Sequence, residues 1–206
     1  QKNLDIAPAT SLLTGAQLEI ADMLGREGIL RGAIYKMLNT TAKSYDFILM
    51  DCSPSLNLLT INGMVAAHSV LVPIQTHYFS LEGMKELFTT IDITRTRLNS
   101  QLDILGIVAT LYDSRTRMTR DILGQIREFF KEKVFKTVIR NNIRLAEASA
   151  NRKAIFDYDP LSNGAKDYAG LAEEIIAITH PERKLSEDVN LTEEKPKTET
   201  IYLSGQ

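Results

Sequence analysis

The 206-residue sequence predicts an α/β domain built on a mostly parallel sheet with helices on both faces. The class is predicted by short apolar runs that alternate with longer segments of helical periodicity. The apolar (44%) and charged (24%) fractions are those of an ordinary globular protein. The length suits one domain with a proper core. We expect the folded part to span residues 1–178 and the polar, aperiodic residues 179–206 to form a disordered tail.

The first part of the chain contains two strand candidates separated by a helical segment. Residues 4–7 form a short candidate strand that Pro8 ends. Residues 16–38 carry apolar side chains at helical spacing, and Gly28 is compatible with one bent helix or with two helices. Residues 47–50 are an unbroken apolar run, which is typical of a central parallel strand buried on both faces.

Helices and strands continue to alternate through the rest of the folded part. Ser80 offers a cap for one of the helices. The remaining predicted strands cover residues 69–74, 102–111 and 134–139. The remaining predicted helices cover residues 56–67 and begin near residues 80, 118 and 164.

Asp51 directly follows the apolar run at 47–50. Open α/β sheets place their ligands at the carboxyl ends of strands, and a carboxylate there can hold Mg²⁺, directly or through water, beside a bound phosphate. An Asp before Cys52, Ser53 and Pro54 also suits the start of a turn. The residues alone leave both interpretations open.

Composition restricts the classes of function. The net charge of −2 argues against a globally basic nucleic-acid binder, so any such site must be a local patch. A single cysteine, Cys52, excludes an intrachain disulfide and a Cys-rich metal site. No apolar run reaches membrane-spanning length, and a cytoplasmic location is expected. We expect His68, His77 and His180 to have structural or surface roles, because no nucleophile or acidic partner for them is visible.

Five blocks of sequence are informative together. They are Y-D-F-I-L-M-D-C-S-P-S-L-N-L-L-T-I-N, L-V-P-I-Q-T-H-Y-F-S-L-E-G-M, L-Y-D-S-R-T-R, K-V-F-K-T-V-I-R-N-N-I-R-L-A-E-A and Y-D-P-L-S-N-G-A-K-D-Y. In this order they resemble the ParA family of chromosome- and plasmid-partition ATPases, and the resemblance covers residues 4–178. Members of that family are deviant P-loop ATPases that dimerise with ATP, bind DNA non-specifically and are stimulated by a ParB-type partner. The resemblance therefore implies ATP and Mg²⁺ as cofactors, a homodimer, DNA and a ParB-like partner, and a nucleoid-associated location away from membranes.

The resemblance implies roles for five residues. Asp51 resembles the Walker B aspartate, which is catalytic and positions Mg²⁺ through water. Pro54 falls in the second switch segment beside the nucleotide. Asn142 matches the asparagine next to the adenine base. Arg115 and Arg144 resemble surface arginines that contact DNA phosphates, and a few such residues on one face give salt-sensitive binding without making the whole protein basic.

Two departures from the family pattern concern the nucleotide. Ser53 replaces the first proline of the family's D-x-P-P segment, and Arg140 and Asn141 depart from its P-R-N segment, so adenine contacts there are in doubt. The family's phosphate cradle, K-G-G-x-G-K-[ST], is absent, since no G-K-[ST] occurs in the 206 residues. The glycine-containing stretch at 25–32 has no lysine and is expected to be a helix bend.

We therefore expect a partial ParA-like domain that lacks the first strands, exposes sheet edges and apolar helix faces, and is not catalytic alone. The alternative is a non-catalytic DNA- or partner-binding module derived from a ParA-like ATPase. A membrane-acting relative of the MinD type would need a terminal amphipathic basic helix, and a redox relative of the nitrogenase-iron-protein type would need two cysteines. The sequence shows neither feature.

Overall fold

The computed structural model of the protein describes residues 3–53, 55–77, 80–182 and 200–204. Strands and helices alternate along these residues, which confirms the predicted α/β class. The strands are β1 (Leu4–Pro8), β2 (Ile48–Asp51), β3 (Ser69–Gln75), β4 (Asp103–Thr110) and β5 (Thr200–Ser204). The helices are α1 (Leu12–Ile20), α2 (Ile29–Thr40), α3 (Leu58–Ala66), α4 (Ser80–Arg97), α5 (Arg117–Phe130), α6 (Ile143–Ala150), α7 (Ile155–Tyr158) and α8 (Asn163–Thr179).

The described residues form two compact units. The first unit comprises residues from 1–69, 86–103 and 191–206, and the second comprises residues from 70–85 and 104–190. None of the described helices is long and apolar enough to span a bilayer. The predicted boundary between a folded part and a tail at residue 178 stays a prediction, although α8 continues to Thr179.

The sheet of the first unit has the strand order β1-β5-β2. The central strand is parallel to both neighbours, with Leu4 opposite Thr200 and Ile48 opposite Ile201. Residues 200–204 thus form a strand, where the sequence predicted a disordered tail. Residues 183–199 of that tail lie outside the described residues.

The apolar run that ends at Asp51 is less buried than its composition predicts. Burial alternates along β2, and Leu49 is 45% exposed. The expectation of burial on both faces is therefore wrong, because one face of β2 is open to solvent in the described part of the chain. Leu12 and Leu18 of α1 are also largely exposed, as expected for a domain with uncovered apolar faces.

The sequence of residues 16–38 was compatible with one bent helix or with two helices, and the structure contains two helices with a break between them. The chain leaves α1 at Ile20, and Gly25 adopts a φ of 72°, a left-handed conformation that glycine tolerates without strain. A 3₁₀ turn at Arg26–Gly28 then leads into α2. The glycine-containing stretch is therefore a helix junction, as expected.

Two asparagine side chains, one buried and one half-buried, join elements of the first unit. The Nδ2 group of Asn62, a residue only 3% exposed, donates hydrogen bonds to the carbonyl oxygens of Arg26 (2.8 Å) and Leu58 (3.0 Å). Its Oδ1 atom accepts from the N–H of Leu30 at 3.1 Å. One side chain of α3 therefore fixes the 3₁₀ turn and the start of α2. Asn99 similarly donates to the carbonyl oxygen of Ala67 at the end of α3, at 2.8 Å.

The second unit contains β3 and β4 as a two-stranded sheet. Its core is formed by apolar side chains from β4, from the segment after α5 and from α8. The most buried members of this cluster are Val108, Phe135, Ile139 and Leu171. The helix α8 begins at a true cap, because Ser162 Oγ accepts a hydrogen bond from the N–H of Ala165 at 3.1 Å.

The fourth predicted strand, at residues 134–139, is wrong. The segment runs beside β4 and forms isolated parallel bridges at Val134 and Arg140, but no continuous ladder. The N–H groups of Lys136 and Thr137 donate instead to the carboxylate of Glu174 on α8, at 2.9 and 2.7 Å. The N–H groups of Phe135 and Ile139 donate to the carbonyl oxygens of Ile107 and Ala109 on β4, at 2.9 and 2.8 Å. The segment is thus tied to β4 at two points, while a helix side chain binds two of the donors between them.

Replacing Asn62 with Ala should lower the free energy of unfolding by about 1–3 kcal/mol, because a backbone donor and a backbone acceptor lose their buried partner. Urea unfolding measures the effect. Asn39→Ala is the control, since Asn39 is exposed and, among the described residues, bonds only the carbonyl oxygen of Tyr35 within its own helix. Equal stability of the two variants would contradict the bridging role of Asn62.

The stability contribution of Glu174 should depend on pH. Burial raises the pKa of this carboxyl, but hydrogen bonds from the Thr137 side chain and from the N–H groups of Lys136 and Thr137 outweigh it and leave the pKa below its ordinary value. A lowered pKa stabilises the fold above the unfolded pKa of about 4.3 and loses this effect as the pH falls through the folded value.

The matched variant for this test is Glu174→Gln, which keeps an acceptor and removes the charge. Thermal unfolding should show the largest difference between the two proteins near neutral pH and a shrinking difference in acid. A difference that stays constant from neutral pH into strong acid would show that the charge of Glu174 has no role.

Candidate functional site

Asp51 is the last residue of β2, and its side chain is exposed. It lies opposite Ser204 in the parallel register with β5, so its predicted position at the carboxyl end of a parallel strand is confirmed. Its role stays a prediction. No group of three or more His, Cys, Asp or Glu side chains that could share a metal ion occurs within the described ranges. A single carboxylate here suits Mg²⁺, which keeps several waters and binds through one or two carboxylates plus phosphate oxygens.

A hydrogen-bonded polar loop joins Asp51 to α3. The hydroxyls of Ser53 and Ser55 lie 2.9 Å apart, and the Nδ2 group of Asn57 donates to Ser55 Oγ at 3.0 Å. Asn57 caps α3, since its Oδ1 atom accepts from the N–H groups of Leu59 and Thr60. These bonds link the described residues of the loop to one another and to the start of α3. Pro54, the predicted nucleotide contact in this loop, lies outside the described residues.

The thiol of Cys52 is directed toward α3. The residue as a whole is exposed, but a Cβ atom at Gly63 would lie 2.8 Å from the Sγ atom, so the absence of a side chain at Gly63 makes room for it. Burial of the thiol and the nearby negative charge of Asp51 raise the pKa of Cys52. A protonated thiol is a poor nucleophile and a poor metal ligand, which supports the interpretation of Cys52 as a small structural residue.

Arg115 belongs to a tight turn ahead of α5. Its Nε and Nη2 groups donate to the two carboxylate oxygens of Asp113, at 2.9 and 2.7 Å, and its backbone N–H donates to the same side chain at 3.0 Å. The guanidinium of Arg115 lowers the pKa of Asp113 to about 2, so the pair is ionised at neutral pH. The side chain of Arg115 nevertheless remains 87% exposed.

Asn142 and Arg144 lie together at the start of α6. Asn142 is the cap of this helix, and its Oδ1 atom accepts from the N–H of Arg144 at 2.8 Å. The guanidinium of Arg144 pairs with Glu147 at 2.8 Å and with Asp159 at 3.4 Å. Its side chain is 53% exposed.

The backbone brings the two predicted DNA-contacting segments to one end of the second unit. The N–H of Tyr112 donates to the carbonyl oxygen of Ile139 at 3.1 Å, and the N–H of Asn141 donates to that of Tyr112 at 2.9 Å. The turn that carries Arg115 and the helix that carries Arg144 both begin just after this bridge. Asp51 belongs to the other unit.

Sequence reasoning missed the acidic partners of these arginines. The spacing of Asp113 and Glu147, two residues before one arginine and three residues after the other, could have indicated them. The partner of Arg140 could not be predicted from the residues that surround Arg140 in the sequence. Its guanidinium and its backbone N–H all donate to Asp167, a buried residue of α8 that lies 27 positions away in sequence.

The sequence is similar to known partition proteins over most of its length. It is 42% identical over 176 residues to the sporulation initiation inhibitor protein Soj of Bacillus subtilis. The aligned residues make up 85% of this chain and 68% of that protein. It is also 42% identical over 175 residues to the chromosome-partitioning ATPase Soj of Treponema pallidum, with the same two shares. The chain thus spans about two thirds of the length of these relatives.

A solved structure extends the likeness to the fold. The cobyrinic acid a,c-diamide synthase of Mycobacterium smegmatis, crystallised with ADP and magnesium, matches with a TM-score of 0.69 and 30% sequence identity over 85% of this chain and 63% of that one. The cell division ATPase MinD of Pyrococcus furiosus matches at 24% identity with a TM-score of 0.56 over 72% of this chain and 57% of that one, which shows the fold alone.

The matches place the chain in a family. Residues 1–104, half of the chain, match the AAA domain family. Relatives at 40–42% identity include Soj and ParA proteins of chromosome partitioning. The resemblance predicted from the sequence blocks is therefore confirmed, and the chain belongs to the Soj/ParA family of partitioning ATPases.

Proposed function

We propose that this chain is part of a ParA-like partition ATPase that dimerises with ATP, binds DNA without sequence preference and acts with a ParB-like protein in segregating chromosome or plasmid DNA. The observation that carries the proposal is the exposed carboxylate of Asp51 at the end of a parallel strand, in a chain of the Soj/ParA family. The proposed location is the cytoplasm, in association with the nucleoid. The segment that bears the phosphate cradle and the first strands is proposed to lie outside these 206 residues.

Each residue of the predicted nucleotide site has a defined task in this proposal. Asp51 would hold the waters of the magnesium ion, and the polar loop after it would fix the direction of its carboxylate. Pro54 would shape the switch segment beside the phosphates. The Oδ1 atom of Asn142 accepts one hydrogen bond in the cap of α6, and its Nδ2 group would be the donor that contacts the adenine base. ATP and Mg²⁺, when bound, supply the phosphoryl group to be hydrolysed and the charge that neutralises it.

Arg115 and Arg144 would contact the phosphates of DNA. Both guanidiniums are exposed, and both lie beyond the Tyr112–Arg140 bridge at one end of the second unit. A single patch of two arginines binds a polyanion weakly. Two copies of the patch on one dimer would bind much more strongly because the second contact becomes intramolecular.

A second candidate function is a DNA- or partner-binding module without turnover. The absence of G-K-[ST] from the 206 residues favours it. The two functions differ in the effect of nucleotide. Stronger DNA binding in the presence of Mg²⁺ and ATP would support the ATPase, whereas DNA binding that is independent of nucleotide would support the module.

The 206-residue chain alone should release no phosphate from ATP above the uncatalysed background, because a carboxylate without a phosphate cradle and its lysine cannot complete the site. A phosphate-release assay with Mg²⁺ and ATP measures this, with Asp51→Ala as the matched variant. Measurable turnover that Asp51→Ala abolishes would contradict the prediction.

Replacing both Arg115 and Arg144 with Glu should weaken binding to random-sequence duplex DNA, because two phosphate contacts become repulsive. The salt concentration at which the chain elutes from DNA-cellulose reports the loss. Arg95→Glu with Arg97→Glu, at two exposed arginines in the last turn of α4, is the control for the change in net charge. Retention of the double variant equal to that of the unchanged chain would remove these two residues from the DNA surface.

A further inference from the structure

The two predicted DNA-contacting arginines bring little net positive charge. The bidentate pair of Arg115 with ionised Asp113 has a formal charge of zero. Arg144 lies within 4 Å of two carboxylates, those of Glu147 and Asp159. A polyanion that approaches this end of the second unit would therefore meet compensated charges at both positions.

The first turn of α5 carries two further arginines that are less compensated. The side chain of Arg117 is 88% exposed and makes one loose contact of 3.6 Å with Asp121, which is itself exposed. Exposed pairs of this kind contribute little to stability and exchange readily with other anions. Arg120 is also exposed, and it forms no ion pair with any residue in the described part of the chain. Residues three positions apart on a helix lie on the same side, so both guanidiniums can reach one ligand.

The turn of Arg115 is fastened to this first turn of α5. Thr116 caps the helix by accepting a hydrogen bond from the N–H of Thr119. The hydroxyls of Thr116 and Thr119 both donate to the carbonyl oxygen of Asp113, and Thr119 is buried. Arg115, Arg117 and Arg120 are thus presented by one rigid turn, and their spacing does not depend on a flexible loop.

We infer that Arg117 and Arg120 extend the DNA-binding surface onto the first turn of α5 and supply the uncompensated positive charge that Arg115 and Arg144 do not. The ligand is the phosphate backbone of double-stranded DNA, because exposed guanidiniums on a rigid element suit a repeating array of phosphates and carry no base specificity. This inference rests on the proposed function, and it assigns the electrostatic part of DNA binding to residues outside the pair that the family resemblance implies.

The test compares three variants of the full 206-residue chain in binding to a labelled random-sequence duplex, followed by fluorescence anisotropy over a series of salt concentrations. The variants are Arg117→Ala with Arg120→Ala, Arg115→Ala with Arg144→Ala, and Arg97→Ala as the control. Each phosphate contact contributes about 0.9 to the slope of log Kobs against log salt concentration. We expect the α5 double variant to lose about 1.8 from the slope magnitude, and the control to keep the slope of the unchanged chain.

Circular dichroism and thermal unfolding of each variant separate loss of contacts from loss of fold, and both arginines of α5 are exposed. A slope for the α5 double variant equal to that of the control, with a reduced slope for the Arg115/Arg144 variant, would overturn this inference and leave the proposed function standing. No salt-dependent binding of the unchanged chain to the duplex would overturn the proposed DNA function, and this inference would fall with it.

Discussion

The second unit depends on two carboxylates of α8 that bind backbone N–H groups of the segment between α5 and α6. Glu174 accepts from Lys136 and Thr137, and Asp167 accepts from the N–H of Arg140 at 3.0 Å. Hydrogen bonds from N–H groups to a carboxylate are shorter and stronger than those between neutral groups. They fix the segment beside β4 without a strand ladder, and the cap of α6 and the bridge to Tyr112 follow directly from that placement.

This anchoring explains how an acidic chain can present arginines to a polyanion. The guanidinium of Arg140 donates to the carboxylate of Asp167 on α8, so it is held within the fold and is less available to an outside anion than those of Arg115 and Arg144. Arg115 and Arg144 are exposed but paired with carboxylates, and a phosphate that binds them must take the place of those carboxylates. Exposed ion pairs contribute about 0–1 kcal/mol, so replacing a carboxylate partner by a phosphate changes the free energy only slightly. If these arginines contact DNA as proposed, binding by one copy would be weak and salt-sensitive, and pairing of copies would strengthen it.

Local patterns in the sequence predicted most elements, and the errors concern long-range contacts. The strands at 4–8 and 48–51 were predictable from apolar runs that end at Pro8 and Asp51, and so was the position of Asp51 at a strand end. The strand expected at 134–139 was wrong because the N–H groups of Lys136 and Thr137, which lie between the β4-bonded Phe135 and Ile139, bind Glu174, 38 and 37 positions away in sequence. No periodicity within a segment can report a side chain that arrives from so far along the chain. The strand at 200–204 was missed for a related reason, since parallel pairing with β1 and β2 is entirely non-local.

The first unit shows what one carboxylate at a strand end can and cannot do. The hydroxyls of Ser53 and Ser55 are hydrogen-bonded to each other, and Asn57 accepts a hydrogen bond at the start of α3. The polar side chains of the loop therefore bond within the protein and are poorly placed to act as metal ligands. Magnesium tolerates a site of this kind because it keeps most of its waters and takes its remaining ligands from phosphate oxygens. The charge of a triphosphate, however, exceeds what one hydrated ion neutralises, and phosphoryl transfer depends on cationic and N–H donors placed around the transferred group. Asp51 therefore accounts for the metal side of the proposed chemistry, and the phosphate side requires a cradle that these 206 residues do not encode.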